Sequence, residues 1–193
     1  MQASDPRIHV YAGPDEGLYD ALNKLALTIS SGYFFVIGSG DKLLPDLEKI
    51  LTEIRYSSDC GQVSYANAIF LENKNARFVP SLDALDRHMS IPHPGFIMPI
   101  ELFRQLGGFD TRYRISADYD LIVRARFDNK NNLLLRNNNT LVSFKGGGMS
   151  EICSEEAQIE NALIQLRNGL RTKRSVLNQL AIFLVNMQLR DGL

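Results

Sequence analysis

The sequence predicts an α/β fold, a sheet covered by helices, and three periodic patterns carry that prediction. Residues 33–37 (YFFVI) form an apolar run between glycines, which is typical of a buried parallel strand. Apolar residues recur at helical spacing before this run, over residues 17–29, and after it, over residues 45–54. Helix, strand and helix in succession favour a sheet with helices packed on it.

The remaining elements follow from the same periodicities and from turn residues. Residues 7–11 (RIHVY) alternate briefly and predict a short strand that ends at Ala12-Gly13-Pro14. Two hairpins are predicted, from 62–71 with 76–79 and from 133–136 with 140–144, the second turning at three asparagines. Two more helices are predicted, from Ser154 to about Asn168, with Gly169 as the stop, and from about Thr172 to Arg190.

Length and charge limit the possible partners. The 193 residues are 45% hydrophobic, enough for one sizeable core, and a net charge of -1 argues against nucleic-acid binding. Cys60 and Cys153 are too far apart for a metal motif and form no disulfide framework, which indicates a reducing compartment. No signal-peptide core opens the chain, so we expect a cytoplasmic protein.

The last predicted helix is apolar around much of its girth and follows several basic residues. It could lie on the inner face of a membrane, or pack on the domain or on a partner, including a second copy. Packing is favoured, because six contiguous apolar residues cannot span a bilayer.

Charged side chains are most concentrated in residues 107–124, where three acids and three arginines lie between a glycine turn and an apolar run. Ser116 occupies an N-cap position, so Asp118 falls in the first turn of a helix. A carboxylate there stabilises a helix merely by meeting the positive end of its dipole. On position alone, capping and chemistry are equally open interpretations.

This segment, GGFD…ADYDL…R, resembles the motif of family 2 glycosyltransferases, which are inverting enzymes of the GT-A fold that use nucleotide-sugar donors. The resemblance implies an incomplete GT-A fold, a mixed sheet flanked by helices with further helices at the carboxyl end. It also implies that Asp118 is the general base that deprotonates the acceptor hydroxyl. Many relatives carry Glu-Asp here, whereas this sequence has Ala117 before Asp118.

Residues 14–24 (PDEGLYDALNK) are similar to a second motif of the family, which lies beside the donor diphosphate and ribose. The resemblance implies donor contacts for four matching residues, which are Asp15, Gly17, Asn23 and Lys24. Leu25 replaces the usual glycine. Periodicity alone favours an ordinary amphipathic helix with an acidic start.

Residues 34–45 (FFVIGSGDKLLP) resemble the strand that delivers the family's metal-binding acid. Asp41 matches that acid, which implies a ligand of Mn²⁺ or Mg²⁺ and a contact to the donor. The metal would neutralise the diphosphate leaving group. Gly40 stands where many relatives have a second acid, and a lone Asp after Gly-Ser-Gly is otherwise a turn residue.

Four residues are expected on the acceptor side. His93 lies between two prolines that pin its backbone, although a surface-turn histidine is the commoner explanation. The resemblance implies an acceptor-side role for it, because the family often has a histidine at the start of this strand. The resemblance places Asp120 there, and also Gly147 and Gly148, whose GGMS matches the family's pattern. Consecutive glycines allow close backbone approach to a ligand, with a flexible loop as the alternative.

The family normally begins with two strand-helix units that build much of the base pocket, and nothing resembling them precedes Arg7. We therefore expect a truncated glycosyltransferase domain at residues 1–150 and a helical extension at 151–193. The chain could be a remnant, a product of a wrongly assigned start, or half of a split enzyme. The predicted activity is sugar transfer with inversion to a saccharide or lipid-linked acceptor in cell-surface polysaccharide biosynthesis. An inactive remnant or partner-binding module is the alternative.

Overall fold

The computed structural model describes residues 5–56, 63–70, 77–127, 134–145 and 154–191. The described part contains six helices, six strands and two 3-10 turns, Leu82–Ala84 and His93–Gly95. The helices are α1 (Leu18–Ala26), α2 (Asp46–Tyr56), α3 (Ile100–Gln105), α4 (Ala117–Phe127), α5 (Ser154–Arg167) and α6 (Lys173–Asp191). The strands are β1 (Tyr33–Phe34), β2 (Lys42–Leu43), β3 (Val63–Phe70), β4 (Arg77–Phe78), β5 (Phe96–Pro99) and β6 (Leu134–Phe144).

The strands form one mixed sheet in the order β1-β5-β3-β6-β2, with β4 also paired to β3. Only the β3–β6 pair is parallel. Successive side chains of β5 face opposite sides of the sheet. Phe96 and Met98 pack in the core between the sheet and the helices α1, α3, α4 and α5. Ile97 packs in the core between the sheet and α2. The observed class is therefore α/β, with helices on both faces of the sheet.

Two predicted strands differ from the structure. Residues 7–11 form no strand, and Ile8, Val10 and Tyr11 are more than half exposed. The run at 33–37 pairs only at Tyr33 and Phe34, and it pairs antiparallel to β5 at the end of the described sheet. Both predictions failed because the backbone N–H and C=O groups of a strand must pair with a neighbouring strand. A run of apolar or alternating residues does not specify which strand that is.

The predicted second hairpin is also wrong, because residues 134–144 form the single strand β6. Its three asparagines make a bulge, in which residues 137–139 lie opposite the one residue Ala66 of β3. The Asn67 amide donates to the Asn138 carbonyl at 2.6 Å, and the Asn137 amide donates to Glu53 of α2 at 2.6 Å. These side chains replace the ladder bonds that the bulge removes, so the strand continues where a turn was expected.

The other predicted elements are confirmed. Helices α1, α2, α5 and α6 start within two residues of their predicted starts, and Gly169 follows α5 with a φ of +71°. The hairpin of β3 with β4 forms as predicted. Among the helices as described, none is both long and apolar enough to cross a bilayer. In α6, Val176 is buried while Leu177 and Ile182 are exposed.

Candidate active site

Asp118 is held in place by the loop before α4 and by the C-terminal helix α5. The Glu160 carboxylate of α5 accepts hydrogen bonds from three consecutive backbone N–H groups of residues 114–116, at 2.8, 3.0 and 2.7 Å. The Ser116 carbonyl then accepts the Asp120 N–H at 3.1 Å as the first helical bond. Asp118 lies in the first turn of α4, as predicted. Sequence reasoning missed Glu160, since no local pattern connects residues 44 positions apart.

The two oxygens of Asp118 have different surroundings. Oδ1 accepts the Tyr119 N–H at 2.8 Å and lies 3.1 Å from the Tyr19 hydroxyl, whose single proton it shares with the Ile115 carbonyl at 2.6 Å. Oδ2 lies 3.4 Å from the Nδ1 atom of His93, and both side chains are 16% exposed. Burial and the negative charge of Asp118 raise the pKa of Tyr19, so its hydroxyl stays a donor. One oxygen is thus fixed by donors while the other faces an imidazole.

His93 lies inside an aromatic cluster rather than on a surface turn. Its ring stacks on Phe96 with a centroid distance of 5.1 Å and meets Phe109 edge-on at 5.8 Å. Burial lowers the pKa of His93, and the charge of Asp118 opposes this shift only in part. The Nε2 atom is buried and has no hydrogen-bond partner. The structure therefore brings two predicted residues together, His93 and Asp118, with Tyr19 as an unpredicted third.

Asp120 lies on the far side of α4 from the solvent. It is 1% exposed, and Arg124 one turn later donates to it at 2.7 Å. The same guanidinium donates to the carbonyls of Leu106 and Gly108 and thereby ties α4 to the glycine turn. Asp120 is thus held in a structural ion pair, and its acceptor contact stays a prediction.

A pocket of about 360 Å³ opens beside the glycine turn. Asp110 lies on its wall and accepts from Arg112 at 2.6 Å and from Arg167 at 2.7 Å. Hydrogen bonds from Arg112 and Arg167 hold the pKa of the Asp110 carboxyl well below its usual range. Arg124 and Asp120 also line the pocket.

The predicted donor-side residues stand at the start and along one face of α1. The Asn23 side chain exchanges two hydrogen bonds with the backbone of Phe109, both at 2.9 Å, which joins α1 to the glycine turn. Asp15 accepts the Gly17 N–H at 3.0 Å. Lys24 donates to Asp20 at 2.6 Å and to the Pro14 carbonyl at 3.0 Å. These contacts organise the segment, and donor binding by its residues stays a prediction.

Asp41 lies between β1 and β2, directly after a turn. Its carboxylate accepts the Gly38 N–H at 2.9 Å and the Lys145 N–H at 3.2 Å, so it also joins this turn to the end of β6. Within the described ranges, no three His, Cys, Asp or Glu side chains gather as a metal-ligand set. The predicted Gly147 and Gly148 lie outside the described residues.

Comparison with known proteins shows a distant similarity to glycosyltransferases. Proteins named "PGL/p-HBAD biosynthesis glycosyltransferase" from Mycobacterium bovis (strain BCG / Pasteur 1173P2) and Mycobacterium tuberculosis (strain ATCC 25177 / H37Ra) are 24% identical to the chain over 174 residues. The match covers 86% of this chain and 65% of each relative, so it spans just under two thirds of their length. No family model matches the chain. The similarity supports a glycosyltransferase in general and assigns no particular family.

Proposed function

We propose that the chain carries the acceptor side and part of the donor side of an inverting, GT-A-type glycosyltransferase of family 2. The observation that carries the proposal is the carboxylate of Asp118, which is partly exposed in the first turn of α4 and whose Oδ1 accepts the Tyr119 N–H and a shared proton of the Tyr19 hydroxyl. It lies in the motif whose carboxylate is the expected base. The mycobacterial relatives that match most of the chain, named as glycosyltransferases of PGL/p-HBAD biosynthesis, also support it.

In the proposed reaction, Asp118 takes the proton of an acceptor hydroxyl while that oxygen attacks the anomeric carbon of the donor sugar. A new glycosidic bond forms on one face, and the bond to the nucleoside diphosphate breaks on the other, which inverts the configuration. A carboxylate whose orientation is set before the acceptor arrives is suited to this step. The acceptor is proposed to be a saccharide or a lipid-linked saccharide of a cell-surface polymer.

Asp41 is the proposed metal ligand, and its surroundings fit only an ion that has few ligands from the protein. Each of its oxygens accepts one backbone N–H and keeps a further lone pair, and no second acid joins it among the described residues. Mg²⁺ is commonly held by one or two carboxylates, with waters and substrate phosphates as the other ligands. Such an ion would neutralise charge on the leaving diphosphate, with the 15–24 segment as the donor-side wall.

Nucleotide binding tests the donor side. We expect calorimetric titration of the chain with UDP, GDP, CDP and dTDP to give saturable binding that requires Mn²⁺ or Mg²⁺ and is lost in Asp41→Ala. Asp46→Ala, at an acid that accepts the Thr140 N–H, is the matched control and should retain binding. Binding to a folded chain that is independent of metal, or unchanged in Asp41→Ala, would contradict the metal assignment.

The base is tested in the variant Asp118→Asn, which keeps the shape of the side chain and removes its basicity. With the nucleotide selected by calorimetry supplied as its sugar conjugates, we expect transfer to fall by about 10²-fold or more while donor binding stays within about twofold. Glu101→Gln, an exposed carboxylate on α3, should retain full transfer. Full turnover by Asp118→Asn would refute the assignment.

One observation favours the alternative of a partner-binding module. Several large apolar side chains between residues 8 and 43 are exposed, among them Val10 at 65% and Leu27 at 77%. Exposed apolar surface of this kind marks interaction sites. A folded chain that binds none of the four nucleotides with metal would place this alternative first.

A further inference from the structure

The contacts of His93 leave one consistent position for its proton. The ring is buried among Tyr19, Phe96 and Phe109, none of which offers a ring nitrogen or carboxylate. Among the residues that the structure describes, Asp118 is the charged group that acts on the ring, with Oδ2 3.4 Å from Nδ1. Nε2 has no partner.

A proton on Nε2 would create two unfavourable contacts. The Nε2–H group would be buried without an acceptor, and the lone pair of Nδ1 would face the lone pairs of a carboxylate. A proton on Nδ1 instead lies on the nitrogen that is 3.4 Å from Asp118 Oδ2, where it is attracted to the carboxylate, and leaves only a weak orphan acceptor at Nε2. Burial lowers the pKa of His93, which keeps the ring from carrying both protons near neutral pH.

We propose that His93 is a positioning residue for Asp118: it is a neutral imidazole locked in the Nδ1–H tautomer, and it orients Oδ2 as Tyr19 and Tyr119 orient Oδ1. A neutral donor aligns the carboxylate without cancelling its charge, which an imidazolium would do. This replaces the sequence-based expectation that His93 contacts the acceptor. The catalytic meaning of the alignment rests on the proposed function, whereas the tautomer itself does not.

The tautomer is measured directly by long-range ¹H–¹⁵N correlation of the ¹⁵N-labelled full chain at pH 7. The sequence has three histidines, and His9 and His88 are exposed internal references. His93→Phe identifies the His93 signals. We expect His93 to be neutral with Nδ1 protonated in the large majority of molecules. A predominant Nε2–H form or an imidazolium at pH 7 would overturn the proposal.

Two variants separate the carboxylate from the rest of the pocket. Asp118→Asn and Asp118→Leu remove the charge that faces Nδ1, so the ratio of Nδ1–H to Nε2–H should fall by about tenfold or more. Tyr19→Phe is the matched control, because it removes a donor to Oδ1 and keeps the ring, and the ratio should stay within about twofold. An unchanged ratio in a folded Asp118 variant, or an equal fall in Tyr19→Phe, would mean that the aromatic pocket selects the tautomer. Neither result depends on turnover, so failure of this inference and failure of the proposed activity are distinguishable.

Discussion

At the scale of single residues, the candidate site is built from charges whose partners are fixed. Asp118, Asp120 and Asp110 all lie within one segment of the chain, yet each carboxylate has a different partner: a histidine and a tyrosine, a partly buried arginine, and two exposed arginines. Their sequence spacing gives no hint of this division. The partners decide which acid is available for chemistry and which acids hold the structure together.

Asp110 should make folding stability depend on pH. Its pKa in the folded chain lies below its unfolded value, so its stabilisation is complete above about pH 4 and is lost as pH falls further. We expect Asp110→Asn to lower the free energy of unfolding by about 1 kcal/mol at pH 7, a modest value because both arginines are largely exposed. The difference from the wild type should shrink between pH 4 and pH 2. Urea unfolding followed by circular dichroism measures both, and a difference that grows on acidification would contradict the assignment.

At the scale of elements, the contact between α1 and the glycine turn connects two motifs that are far apart in sequence. Asn23 bonds to both backbone groups of Phe109, and the chain turns through Gly107 and Gly108 at φ of +82° and +72° to present them. A Cβ on Gly108 would lie 2.8 Å from the Asn23 Oδ1 atom, whereas a Cβ on Gly107 would meet nothing within 4 Å. The second glycine is therefore needed for space as well as for backbone angle.

This difference predicts that alanine at Gly107 and alanine at Gly108 lower the free energy of unfolding by unequal amounts. Each of Gly107→Ala and Gly108→Ala should lower the free energy of unfolding by about 1–2 kcal/mol, because alanine is strained at a positive φ. Gly108→Ala should cost about 1–3 kcal/mol more, because it displaces the Asn23 amide. In an Asn23→Ala background the excess should shrink, which a double-mutant cycle by urea unfolding measures. An equal decrease in the free energy of unfolding for the two variants would show that the contact between the new Cβ and Asn23 is relieved without loss of stability.

Local pattern predicted every described helix except α3, and it predicted the sheet only in part. The spacing of Leu18 and Leu22 marks α1, and Ser116 marks the start of α4, because helical bonds are local. The pairing of Tyr33 with Pro99 depends on distant residues, as does the bulge at Asn137. At the site, motif resemblance found Asp118 and His93, but Tyr19 looked like an ordinary residue of an amphipathic helix. Its contact 99 positions away could not be read from its neighbours.

At the scale of the whole molecule, α5 packs onto the same core as the sheet. Ile164 of α5 is fully buried in the larger core cluster, and Gln165 donates to the Tyr119 hydroxyl at 3.1 Å. The predicted boundary at residue 150 remains a prediction. The contacts nevertheless tie α5 to α4 more closely than an appended extension requires.

The energetic weight of this packing can be tested with adjacent residues. Ile164→Ala should lower the free energy of unfolding by about 2–4 kcal/mol, because it leaves a cavity in the shared core. Leu163→Ala, at a side chain that is 43% exposed, should cost less than about 1 kcal/mol. Chemical denaturation of both variants, monitored by circular dichroism, supplies the comparison. Similar small costs would indicate that α5 contributes little to the fold.

The hydrogen bonds that the Glu160 carboxylate accepts also imply an order of events during translation. The loop at residues 114–116 leaves the ribosome before the carboxylate that fixes it, which is encoded 44 residues beyond Ser116. At synthesis rates of about 5–20 residues per second, the loop waits roughly 2–9 seconds for Glu160 to appear. Nascent chains arrested before that residue would therefore lack an ordered Asp118 loop. Asp118 is therefore made before the acid that orders its loop.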